Sequence, residues 1–320
     1  MKTLNTFWAT FLIFFIVVTI SVPQKAKACD VCGCGVGSYY LGILPNFNKR
    51  FIGLRYNQNR LITHLGPNGN RTPNSADETY RTMELWGAWN FGERWRMMAI
   101  VPYSFNERTI GNQGLETGSK NGLGDVVLMG HYKLFDNMST TRNSKLLVQS
   151  LWIGGGVKAP TGAYDRSEQS SAEMGAPNTF QLGTATTDFL INAAYDIRLM
   201  DLGLNINATY KINTENKHDY RYANKLAVNG LVYYKFNIQD KIRLSPNAGI
   251  LYETQPKDVL YNRFDVAQSG GNSAMGIVGL EANMGRISIG GNFQAPINQN
   301  LADGRIEAKS RIMTHVSFSF

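Results

Sequence analysis

The chain has 320 residues, 43% of them hydrophobic, a mean hydropathy of −0.23 and a net charge of +8. Its Lys and Arg residues are spread along the sequence, with no basic block of the kind that grips nucleic acid. The polar average does not exclude a membrane protein, because in a transmembrane β-barrel only every second residue of a strand meets lipid.

At the amino end, Lys2 precedes the apolar run Phe7 to Val22. That run is shorter than the roughly 20 residues a spanning helix needs, so it reads as an export signal rather than an anchor. Ala26-Lys27-Ala28 places small residues where a signal peptidase looks, giving a signal peptide over 1–28 and Cys29 as the first mature residue. Lipidation of Cys29 fits less well, since Ala26 and Lys27 stand where a lipoprotein box prefers Leu and a small residue. Cleavage removes Lys2, Lys25 and Lys27 with no acid, and leaves 292 residues at a net charge of +5. A mild positive excess suits anionic lipopolysaccharide or an anionic solute.

Residues 29–50 form a Cys/Gly-rich segment that opens Cys29-Asp30-Val31-Cys32-Gly33-Cys34. In an oxidising compartment these thiols form a disulfide, one of them to another protein because the count is odd. The alternative is a soft-metal site for Cu or Zn, although no His stands nearby and zinc spacing is incomplete.

From residue 51 to 320, period-two alternation predicts an all-β transmembrane antiparallel barrel of about 12 strands. The strands fall at 51–61, 81–91, 95–106, 124–135, 145–160, 187–198, 202–212, 225–236, 242–253, 274–283, 287–297 and 309–320. The cleanest puts Leu202, Leu204, Ile206, Ala208, Tyr210 and Ile212 on one face, with Gly203, Asn205, Asn207, Thr209 and Lys211 on the other. Gly154-Gly155-Gly156 predicts a bulge or bend, and Pro102 and Pro246 count against their strands. Connections alternate in length. Long ones span 62–80, 107–123, 161–186, 213–224, 254–273 and 298–308; short ones fall at 92–94, 136–144, 199–201, 237–241 and 284–286. Outer-membrane barrels have short periplasmic turns and long outer loops, which puts both termini in the periplasm. A secreted β-sandwich also alternates along its strands but gives no such rhythm of loop lengths. Trp89, Phe91, Trp95, Phe236 and Phe318 gather near one rim, as an aromatic girdle does. The last strand sets Ile312, Thr314, Val316, Phe318 and Phe320 against Arg311, Met313, His315, Ser317 and Ser319. Its terminal Phe320 resembles the segment read by the barrel-assembly machinery.

Three motifs carry a family resemblance: Gly122-Leu123-Gly124-Asp125, Gly156-Val157-Lys158-Ala159-Pro160-Thr161-Gly162, and Leu182-Gly183-Thr184 through Asp188. They resemble a family of outer-membrane transporters named for the MetA pathway of phenol degradation, loosely similar to FadL-type channels for hydrophobic compounds. The family usually has Gly where this chain has Ala185. The resemblance implies a twelve-stranded barrel with a transport role. By analogy with FadL-type plugs it also implies that residues 29–50, with Tyr39, Tyr40, Leu41, Ile43 and Leu44, occupy the lumen. All three motifs fall at the outer rim, where Gly and Pro shape tight loop entries and a role in closing the mouth fits better than solute binding.

The lumen-lining candidates are Arg55, Glu84, Arg96, Asp125, His131, Lys133, Asp188, Lys211, Arg243, Glu281, Arg311 and His315. Polar side chains of both signs inside a barrel form a salt-bridge network or line a water path. The four histidines, His64, His131, His218 and His315, belong to no hydrolase motif, so an enzyme is not expected. The sequence carries no nucleotide loop or other energy source. It therefore reads as a passive channel for small, possibly hydrophobic, solutes in a Gram-negative outer membrane, in contact with lipid, lipopolysaccharide and the barrel-assembly machinery. The alternatives are a thiol metal or redox-docking envelope protein and a purely structural barrel.

Overall fold

The computed structural model describes residues 49–111, 116–142, 144–173, 178–239 and 241–320. The expected signal peptide, the cysteines and residues 29–48 of the expected plug lie outside them. The chain forms twelve antiparallel staves: β1 (Phe51–Thr63), β2 (Ala76–Phe91), β3 (Trp95–Ile110), β4 (two segments, Glu116–Leu123 and Val126–Thr140), β5 (Leu146–Ala159), β6 (Asp188–Leu199), β7 (Leu202–Ile212), β8 (Lys225–Tyr234), β9 (Ile242–Gln255), β10 (Gly271–Met284), β11 (Ile287–Leu301) and β12 (Glu307–Ser319). Each pairs with its neighbours in sequence, and Phe51↔Ser319 joins β1 to β12, so the sheet closes on itself. Closure leaves no open sheet edge within a membrane, where an unpaired N–H or C=O has no water to turn to.

The faces are inverted relative to a water-soluble core. On β7, Asn205, Asn207, Thr209 and Lys211 are buried while Leu202, Ile206 and Tyr210 are exposed. On β12, Arg311, Met313, His315 and Ser317 are buried while Ile312, Val316 and Phe318 are exposed. Hydrocarbon is the solvent for the outward set, so exposure to it costs an apolar side chain nothing.

All twelve strands fall where the alternation placed them, but several run further. Strand β2 starts at Ala76, β3 reaches Ile110, and Glu116–Leu123 pairs with β3 inside the span read as a loop. These extensions lack apolar alternation because they stand beyond the lipid band. The connection expected at 136–144 is likewise mostly hairpin: Asp136↔Ser150 through Thr140↔Leu146 pair, and only 141–145 turn.

The predicted bulge at the glycine run is corrected. Strand β5 pairs with β6 without a register shift, and the irregularity lies in β4 between Lys133 and Phe135. The glycines serve close approach instead. A Cβ at Gly156 would stand 2.6 Å from the Leu128 carbonyl oxygen and 2.7 Å from Met129, and one at Gly154 would strike the His131 ring. The prolines sit at breaks in the ladders. Pro102 faces the gap between the two segments of β4, and Pro246 faces the gap between Tyr234 and Phe236, so neither is asked for an N–H there.

The interior is not uniformly polar. Phe51, Trp86, Met98, Ile100, Met129 and Leu190 form one buried cluster, and Leu231, Tyr233, Leu251, Met275 and Met313 another.

Candidate lumenal site and its folded loop

The three glycine motifs converge on one clamp at the loop end of the barrel. Lys158 on β5 pairs with Asp125, which precedes the second segment of β4, and lies 2.9 Å from Asp188, the first residue of β6. Lys211 on β7 continues the series at 3.6 Å from Asp188. Asp125 also accepts from the Gly162 and Thr184 backbone N–H groups, both at 2.9 Å. Gly162 and Gly183 are required by backbone contact: a Cβ on Gly162 would stand 2.8 Å from the Cα of Gly183, and one on Gly183 would stand 2.6 Å from the Gly162 oxygen. Both ends of the β5–β6 connection are thereby pinned to the wall. Ala185, at φ +56°, holds the left-handed conformation that glycine adopts at least cost.

Pinned this way, the connection folds across the mouth. It carries the helix α1 (Arg166–Glu173) and ends in the buried segment Asn178–Gln181. Phe180 packs with Leu61 of β1, Tyr80 of β2, and Leu301, Ile306 and Ala308 from the β11–β12 side, all distant from β5 around the wall. Arg108 of β3 stands 4.2 Å from the Phe180 ring centroid and bonds Glu78 and Glu168, each at 2.8 Å. Lys120 of β4 reaches Asp165 at 2.6 Å, Glu168 at 3.2 Å and the Phe180 carbonyl at 3.0 Å. The Lys120 hydrogen bond is the largest cause holding the Asp165 carboxyl down at about 2, helped by Ser167. Burial lowers the nearby His64 imidazole from its ordinary value, against the pull of Glu78. Gln169 donates to the His218 carbonyl at 2.7 Å, tying α1 to the next loop. Over that loop, Tyr220, Tyr222, Leu260 and Val266 form a small cap.

Deeper in the lumen the sequence candidates form two groups. Arg55 pairs with Glu84, its cross-strand partner, and His315, the partner of Arg55 on β12, lies 2.9 Å from Glu281 of β10. Between them β11 presents Gly290, whose missing Cβ leaves the space the Glu281 carboxylate fills. The second group is a strut. Arg311 of β12 bonds Glu253 of β9 at 2.7 Å, with β10 and β11 intervening along the wall, and Lys225 of β8 lies 3.1 Å from the same carboxylate. His131 meets Asn192 at 3.2 Å, and Arg96, opposite His131 on β3, stands over the Phe51 ring. Lys133 pairs with Asp136 at 3.2 Å towards the turn end, and Arg243 is exposed at that rim beside Asn237. Phe320 lies on the same rim, 5.5 Å from the Trp89 ring.

The lumen candidates left out Glu253, Lys158 and Trp86, although alternation sets Glu253 and Trp86 on the inward face and, once the glycine run is taken as unbroken strand, Lys158 with Trp152. They also left out Glu168 and Phe180, for which a non-periodic loop offers no signal. Among the described residues no cluster of three His, Cys, Asp or Glu side chains could hold a metal, and no helix is long and apolar enough to cross a membrane.

A family model described as "Putative MetA-pathway of phenol degradation" matches residues 68–276. An outer membrane channel from Pseudomonas putida F1 aligns over 87% of this chain and 100% of its own, with a TM-score of 0.57 and 13% identity. The beta domain of the Bordetella autotransporter BrkA aligns over 85% of this chain and 100% of its own, with a TM-score of 0.49 and 12% identity. At such identities the likeness is one of fold, that of outer-membrane barrels. No curated protein matches the sequence.

Proposed function

This chain belongs to the MetA-pathway of phenol degradation family, and on that premise we propose that it is a passive outer-membrane channel for small solutes, with the β5–β6 loop as its outer constriction. The observation that carries this reading is the loop itself, folded across the mouth and held there by the Arg108 and Lys120 ion pairs beside the apolar contacts of Phe180. The long-loop end then faces outward among lipopolysaccharide, both termini face the periplasm, and Phe320 stands where the barrel-assembly machinery reads a closing strand. We read the protein as non-enzymatic, in keeping with its family and with the channel it resembles in fold.

Planar-bilayer conductance tests the proposal. Replacing Arg108 and Lys120 together by Gln releases Glu168 and Asp165 and raises the open fraction several-fold over wild type. Deleting residues 29–50 asks whether that segment plugs the pore. A protein that conducts in none of these three forms is a structural barrel. Soft-metal capture by Cys29, Cys32 and Cys34 is a separate reading carried by their spacing. Stoichiometric Cu(I) binding lost in Cys32→Ser and Cys34→Ser supports it, and a mapped disulfide without metal removes it.

A further inference from the structure

Across the lumenal wall, Glu84, Arg55, His315, Gly290 and Glu281 occupy one row on five neighbouring strands. Arg55 engages Glu84 on one side, and the His315–Glu281 pair closes over Gly290 on the other. Trp86, the next inward position after Glu84 on β2, packs edge to face with His315 at 5.7 Å between ring centroids. Four polar atoms in this group have no hydrogen-bond partner: Glu84 Oε1, Glu281 Oε2, His315 Nδ1 and Trp86 Nε1. Their residues are at least nine-tenths buried. Buried polar atoms are nearly always paired, so a group of four points to something that fits among them.

The tautomer fixes what that partner offers. A carboxylate only accepts, so His315 donates through Nε2 to Glu281 and its Nδ1 is an acceptor in the neutral ring. Three of the four open atoms are therefore acceptors, two of them on carboxylates, against one indole donor. Of the cations on this wall, Arg55 is engaged by Glu84 and Arg96 stands over the Phe51 ring. Beside the acceptors, Phe51, Met98, Ile100 and Met129 supply an apolar flank packed with Trp86.

We propose that Glu84, Trp86, Glu281 and His315 form a lumenal binding site for a small solute carrying a protonated amine on an apolar body. An ammonium group brings several N–H donors and a positive charge to the open acceptors of Glu84, Glu281 and His315, while its carbon body lies on the Phe51–Met129 flank. A carboxylate solute would meet Glu84 and Glu281 with like charge, and a neutral alcohol would satisfy one acceptor. The site deepens the channel reading by naming a solute class for its lumen.

Calorimetric titration of the purified full-length protein in detergent with benzylamine, benzyl alcohol and benzoate decides the matter. Benzylamine is expected to bind saturably, at least tenfold more tightly than benzyl alcohol, with benzoate silent, and Glu84→Gln and Glu281→Gln each weaken it tenfold or more. Equal affinity for all three, no saturable binding, or binding unaltered in both variants overturns the site and leaves the open atoms to water. Should the variants fail to fold, the ranking on wild type decides alone. Conductance is not a readout here. A protein that conducts but ignores benzylamine refutes the site, and one that binds benzylamine but never conducts refutes the channel.

Discussion

Lys158 is the residue on which the loop-end clamp turns, and Lys158→Met tests it with little change in volume. The Lys158 side chain is 3% exposed, between those of Asp125 and Asp188 at 4% and 0%. Removing one member of a buried ion pair leaves uncompensated charge and costs about 3–5 kcal/mol. Here each carboxylate keeps partners. Asp125 retains the Gly162 and Thr184 amides, and Asp188 retains Lys211 at 3.6 Å and the Thr214 amide at 3.1 Å. The loss should therefore sit at the lower bound, about 3 kcal/mol. Because the clamp pins both ends of the β5–β6 connection, the damage should be local. Hydrogen exchange in detergent should show amides 160–187 losing protection while those of β10 to β12 keep theirs. Adding Asp188→Asn to the variant should recover part of the loss, since it removes a charge that Lys158 had balanced. Uniform loss of protection around the barrel, or none in the loop, would refute the idea that these motifs act as one clamp.

Three further outcomes follow from single positions. Ala185→Gly relieves a left-handed alanine and should raise stability by about 1 kcal/mol, read as a higher midpoint of thermal unfolding. Gly290→Val puts carbon where the Glu281 carboxylate lies and should cost about 1–3 kcal/mol by overpacking, read as a lower midpoint of thermal unfolding. For Asp165 the folded value, about 2, lies below the ordinary 3.8, so its bond to Lys120 stabilises the loop above pH 4 and is lost as pH falls through 2. Exchange protection of residues 163–169 should fall across that window in wild type and stay flat in Asp165→Asn.

The strands were legible because lipid on one side and a packed lumen on the other enforce a strict period of two, and that signal survives at single-residue resolution in β7 and β12. It failed wherever the chain leaves the lipid band. Glu116–Leu123, Asp136–Thr140 and the first residues of β2 and β10 pair as strands without an apolar outward face, so apolar alternation does not record them. At Gly154-Gly155-Gly156 the period of two runs on unbroken. Glycine in a strand marks either a bulge or a close neighbour, and only the positions of His131 and Met129 across β4 separate the two.

The candidate site was legible in its parts and not in its grouping. Inward charges could be named one by one, but their partners come from register and from chords across the lumen. Glu84 meets Arg55 because β1 and β2 align them, and Glu253 meets Arg311 only because twelve staves bring β9 and β12 to one level across a closed wall. The glycine motifs carry the same lesson from the other direction. Spaced over more than sixty residues, they have no local reason to coexist. Each supplies one part of a contact between Asp125, Lys158 and the Gly162–Gly183 crossing. A motif that makes no sense alone is explained by the element it leans on, and here that element is the loop folded across the barrel's mouth.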